Sequence, residues 1–496
     1  MPPAHRAQIV HSTAQGVDSP LQSRGDEPDM RCAMRARSAL RRSAAAAALA
    51  AAALWMHADV AAAHGVGGRL DLPVPLWQLA WAASFAVAAS FVALGMFWDE
   101  PKFRALSDGR ALPRPFQAAS GVLSRLAAAF GLFALGVLLY AGLAGNTNPS
   151  VNIAPVAIYV IFWVGLQAVS ALVGDVWACM NPFATISDGA ARLWARLRSR
   201  PVGDPERGAG NQWWAVASIF VFLWLELAYH DSADIRVLGW YLTGYTAAML
   251  AGAAVLGRGW LRDAEGFGVL FTKLAAMAPL HRDGRKLRAR SPLAGLAVQS
   301  HKPGSAAFIL VVLGSTTFDG FSRSTLWHDV ISNRVGWELT AFNTVGLGFV
   351  ILAVFVLYRA AVAGMAVITG DTEKELSEAF ASSLVPIAAA YTIAHYFSYL
   401  LLEGQLLIAH LSDPFGRGWD LFGTAAYRVD YTAISTDAIA WTQTAAIAVG
   451  HVLAVALAHD RALERWPARL AMRSQYPMLA AMIAYTVVGL LLLLGP

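Results

Sequence analysis

The chain has 496 residues, of which 57% are hydrophobic and only 14% are charged, against roughly 25% charged in soluble proteins. With a mean hydropathy of +0.48 and long apolar runs, this balance excludes an ordinary soluble domain and describes an all-α, polytopic helical membrane protein. The net charge is +5, but the basic residues sit in short loops between apolar segments. They read as orientation signals and not as a nucleic-acid footprint. Two cysteines, Cys32 and Cys179, are too few for a disulfide framework.

Residues 1–29 are polar and lack helical periodicity, so they read as disordered or as lying upstream of a true start at Met30 or Met34. From there RCAMRARSALRR, an Ala/Leu-rich run over 43–56 and DVAAAHG supply the basic, apolar and A-x-A parts of a secretory signal peptide over 30–63. An uncleaved anchor is the competing reading. Cleavage after Ala63 leaves His64 as the new N-terminus, where amine and ring can chelate copper.

Residues 64–496 then read as one transmembrane domain with about ten apolar segments, each near the ~20 residues a spanning helix needs. They fall at 76–98, 121–144, 153–177, 213–230, 237–257, 305–321, 341–363, 382–408, 439–459 and 476–495. Basic loops follow the first, third, fifth and ninth segments. Those loops belong on the cytoplasmic side, which places the mature N-terminus and the C-terminus outside. In the longest loop, 258–304, the stretch GFGVLFTKLAAMAPL is expected to lie as an amphipathic helix on the inner leaflet.

Several ionisable residues fall inside the apolar segments. Such groups cost roughly 2.5–3.5 kcal/mol each at bilayer depth, so they normally face a cavity or a partner. The eighth segment, with YTIAHYFSYLLLEGQLLIAH, carries His395, Glu403 and His410. At 100° per residue, His395 and Glu403 are about 80° apart and Glu403 and His410 about 20°, with Tyr399 between them. The ninth places Asp437, Thr444, His451 and His459 within about 80°. The fourth ends LELAYHD, with Glu226 and His230 at i,i+4. The sixth ends GSTTFDGF, where Asp319 beside Gly320 suggests a broken helix end. Glu226, His230, Asp319, Glu403, His410 and His64 all reach the outer half. Imidazoles with carboxylates are the ligand set for Zn²⁺ or a similar divalent ion, which can lower the pKa of a bound water to about 7.

The stretches AHGVGGRLDLPVPLWQLAW, GSTTFDGF, AHYFSYLLLEGQ and GHVLAVALAHDRAL resemble the bacterial integral membrane proteins described as fenitrothion hydrolase, and the likeness covers the chain after its leader. The resemblance implies a bacterial inner-membrane enzyme that hydrolyses the aryl ester bond of organophosphorus triesters such as fenitrothion. It carries no assigned catalytic residues. A neutral triester partitions into the bilayer and reaches a site between helices, so the expected partners are the lipid and a small apolar substrate. On the residues alone, the expected centre is a divalent metal held by some of His395, His451, Glu403, His230, Glu226, His410 and His64, with Glu403 or Asp319 as general base. Two alternatives stay open. One is a redox or metal-handling protein with His395 and His451 as haem or copper ligands. The other is a proton-coupled transporter, because buried carboxylates and histidines also make relays.

Overall fold

The computed structural model describes residues 75–198, 208–284, 286–299 and 302–494. The 1–29 leader, the signal-peptide reading over 30–63, Cys32 and His64 lie outside the described residues. Those that are described belong to a single compact unit. All ten apolar segments are helical. Among the described residues eight helices are long and apolar enough to cross a membrane: α1 (Leu76–Phe97), α2 (Arg114–Ala144), α3 (Ile153–Leu172), α9 (Ser305–Ser322), α10 (Gly336–Thr369), α11 (Glu373–Ser412), α12 (Thr436–Arg465) and α13 (Ala468–Leu494). The fold is that of an all-α polytopic membrane protein.

Between α3 and α9 run α4 (Pro182–Arg198), α5 (Trp213–Leu227), α6 (Ile235–Leu256), α7 (Arg258–Ala264) and α8 (Gly266–Ala275). Two of the ten expected spans therefore differ from the rest. α5 has only 15 residues, and α6, although 22 residues long, is diluted by its Arg, Gly, Thr and Tyr residues. Helix boundaries follow local chemistry. Asp234 caps α6 by accepting from Val237 N at 2.8 Å, Ser435 caps α12 through Ala438 N, and Gly370 at φ 81° ends α10.

Three expectations about these elements are corrected. The stretch beginning GFGVLF does not lie on a leaflet. α8 is buried, with Phe267, Phe271 and Leu274 in the core and Phe162, Trp177 and Phe222 edge-on against its aromatic face. The reason is its anchoring: Glu265 caps the helix from within the protein and accepts from Tyr245, Trp177, Phe267 N and Gly268 N. Burial pushes that carboxyl up and these donors hold it back. Second, α9 runs unbroken through Asp319–Gly320 to Ser322, because Gly320 accommodates Leu492 of α13 and needs no change of backbone. Third, α11 is not one wheel. It tightens into a 3₁₀ turn at Glu403–Gln405 before resuming at Leu406. Opposite this turn, α3 widens into a π-helix over Val156–Gly165.

The helices share one large core flanked by two smaller apolar clusters; α11 packs most extensively on α12, and α9 on α10. At the end of the bundle that holds the basic loops, β1 (Arg110–Ala111), β2 (Leu280–Asp283) and β3 (Lys286–Ala289) make a small antiparallel sheet in the order β1-β3-β2. Large apolar side chains such as Trp81, Phe85, Phe133 and Phe349 point outward from α1, α2 and α10, as a lipid-facing surface requires.

Candidate functional site

The polar centre of the bundle is built on α9 and α11. Along VLGSTTFDG the hydroxyls of Thr316 and Thr317 fold back on the carbonyls of Val312 and Leu313. An apolar helix thereby carries polar groups without leaving them unpaired. One turn later Asp319 projects from α9 with only 6% of its surface exposed. From α11, Tyr396 donates its hydroxyl to Asp319 Oδ2 at 2.7 Å, and His395 Nε2 stands 2.7 Å from the same oxygen. The imidazole approaches off the line of a good hydrogen bond, so the contact is chiefly electrostatic. Arg323 reaches Asp319 Oδ1 at 3.2 Å from the next turn of α9, and its side chain is 66% exposed. The carboxylate is thus buried, paired and one side chain from the surface.

Glu226 of α5 comes within electrostatic range of Asp319 and Arg323, and its Oε2 is buried without a hydrogen-bond partner. A cavity with room for roughly one water molecule opens beside His395. It is lined by Thr316, Thr317, Tyr391, Gly489 and Leu492 among others.

Of the described residues expected to converge, Asp319, His395 and Glu226 do so and the others do not. His230 is not one helical turn from Glu226, because α5 stops at Leu227; its Nδ1 pairs with Thr340 Oγ1 at 2.8 Å. At the start of the 3₁₀ turn, half-buried Glu403 takes a bond from Tyr431 Oη at 3.2 Å, and past it His410 is buried near the far end of α11. On α12, Thr444, His451 and His459 share a buried face, while Asp437 is exposed. His451 Nδ1 lies 2.8 Å from the carbonyl oxygen of Ile447, and its ring faces Tyr391 and Tyr485. His459 and Asp460 anchor the end of α1. His459 Nε2 pairs with Trp98 O, and Asp460 Oδ1 accepts from Trp98 Nε1 and Lys102 N.

Among the described residues no three His, Cys, Asp or Glu side chains come together as a metal cage. Both oxygens of Asp319 are engaged, and the guanidinium beside it opposes a second cation. A divalent ion bound by Asp319 would have to displace Arg323 from Oδ1. What the group does hold is an imidazole in electrostatic contact with a carboxylate, with a permanent cation at its mouth. Asp319 favours the tautomer with hydrogen on Nε2, which leaves Nδ1 as the basic nitrogen.

Sequence reasoning did not single out Arg323 or Tyr396. Arg323 stands at i+4 from Asp319, the spacing of a helical ion pair, and Tyr396 is next to His395; both signals were available. The pairing of α9 with α11 was not. No family model, no curated protein and no solved structure matches the chain.

Proposed function

We propose that the chain is a membrane-embedded hydrolase of neutral organophosphorus triesters, with Asp319 and His395 as a paired general base. The observation that carries this reading is a buried carboxylate holding an imidazole at 2.7 Å inside an apolar bundle. In such surroundings the pair need not share its charge with bulk water. His395 Nδ1 takes a proton from water, the water oxygen bonds to phosphorus, and the bond from phosphorus to the aryl oxygen breaks. A nitrophenolate is a good leaving group and departs without an acid. Arg323 offsets the negative charge that grows on the phosphoryl oxygen, and Tyr396 keeps Asp319 in place. No step requires a metal, because Arg323 already supplies a cation.

The haem reading has less support. His395 is committed to Asp319, while Tyr391 and Tyr485 fill the space against the His451 ring.

The experiment is nitrophenol release from fenitrothion by purified wild type, His395→Ala and Glu403→Gln, each with and without exhaustive chelation. Wild type is expected to turn over and to survive the chelator. His395→Ala is expected to lose about 10²–10⁴-fold, the usual worth of a general base, and Glu403→Gln to keep its activity. Silence from wild type at every pH and after adding back divalent ions would sink the hydrolase. Loss of activity on chelation would restore the metal.

A further inference from the structure

We propose that α11 lines a proton pathway through the bundle, from the Asp319–His395 pair to Asp460 and Glu464 near the basic end, with His451 as the central relay. The inference goes beyond the hydrolase reading and does not need it.

Two cavities, each with room for roughly one water molecule, lie against α11 at widely separated depths. One borders His395, Thr317 and Tyr391. The other borders Ser382, Asp460 and Glu464 near the opposite end. Between them sits His451, 0% exposed, with its Nδ1 on the Ile447 carbonyl and no hydrogen-bond partner for Nε2. A buried polar atom left unpaired costs roughly 1–3 kcal/mol, and a Leu or Phe would fill this position without that cost. Packing alone therefore does not account for an imidazole there.

The upper half of the route is polar from His395 to the two tyrosines and closes on His451 through their rings. The His395 cavity touches the Thr317 hydroxyl, which pairs with Tyr485 Oη at 2.7 Å. Tyr391 lines the same cavity and donates to Tyr485 O at 3.3 Å. Both tyrosine rings face His451, with centroids 6.5 and 6.1 Å away. A close approach makes room for this arrangement. A Cβ on Gly489 would stand 1.5 Å from Tyr391 Oη, so only glycine lets that hydroxyl sit where it does. Hydroxyls and water both accept and donate, so a proton can pass from His395 by exchange along them as far as Tyr485; the last step, to the unpartnered Nε2 of His451, needs a transient water.

The lower half is sparser. From His451 to Leu457 on the wall of the second cavity is six residues of α12, about 9 Å, past Ala454. That cavity is lined by Ser382, by Arg461 and by Glu464, whose Oε2 pairs with Arg461 at 2.7 Å while its Oε1 is buried without a hydrogen-bond partner. The apolar step must hydrate transiently for a proton to cross, which makes it the slow and controlling step.

The test uses the full chain in sealed phosphatidylcholine/phosphatidylglycerol vesicles with a pH dye inside and no organophosphate present. A potassium diffusion potential set by valinomycin drives protons, and the dye reports the flux. Wild type is expected to move internal pH several times faster than protein-free vesicles. His451→Phe should fall to the protein-free rate, while Tyr485→Phe, which keeps the ring and removes only the hydroxyl, should fall well below wild type. Thermal unfolding midpoints of the variants verify that they are folded. A wild-type rate equal to that of protein-free vesicles, or wild-type flux in both variants, would overturn the proposal. Nitrophenol release by His451→Phe should stay unchanged, so failure of the pathway and failure of the hydrolase are read separately.

Discussion

Lys273 is buried on α8, and its ammonium lies 2.5 Å from Ser305 Oγ. Loss of hydration pushes its pKa down to about 8, and the charge of Glu378 offsets part of that fall. Glu378 itself caps the start of α9 by accepting from Gly304 N and Ala306 N. Because the folded pKa lies below the ordinary 10.5, the unfolded chain binds more protons between those values, and stability rises as pH climbs through that window. Lys273→Met should raise the unfolding midpoint at pH 7 and flatten its rise from pH 8 to pH 10. A midpoint that falls at pH 7 would mean that the ammonium is a net stabiliser. The same logic explains why Asp319 and His395 could be picked out in the sequence: an ionisable group in an apolar run is an anomaly whatever it touches. Its partners are another matter. Thr340 for His230, Tyr431 for Glu403 and Tyr396 for Asp319 were set by contacts that a helical wheel does not contain.

Among elements, α11 carries the main lesson. A constant 100° per residue puts His395, Glu403 and His410 on one face, but the 3₁₀ turn at Glu403–Gln405 rotates the last stretch, and His410 is carried off that face. α8 misled for the opposite reason. Its short apolar run has the pattern of a surface helix, and only the Glu265 cap inside the protein shows that it is buried. The α11–α12 contact depends on a small residue: a Cβ on Gly450 would meet Ala390 Cβ at 2.2 Å and the Pro386 carbonyl oxygen at 2.9 Å. Gly450→Val should push these helices apart and cost about 1–3 kcal/mol, the usual range for overpacking. Denaturation in detergent checks it, and an unchanged midpoint would mean that the seam is looser than its geometry indicates. Gly450→Ala should be milder.

At the level of the whole molecule, hydropathy found the eight long apolar helices among the described residues, because a bilayer demands about 20 apolar residues per crossing wherever they occur. It says nothing of which helices become neighbours. Asp319 ends the sixth segment and His395 lies in the eighth, so the pair exists only after the bundle has assembled, and the proposed chemistry belongs to the assembled bundle. If the two side chains are one base, removing either removes all of it. The most direct measurement is therefore nitrophenol release by membranes carrying wild type, Asp319→Asn, His395→Gln and the double variant at matched protein levels. Each single change is expected to cost about 10²–10⁴-fold, and the double change no more than the worse of the two. Losses that multiply, or full activity in either single variant, would contradict a paired base at the centre of this protein.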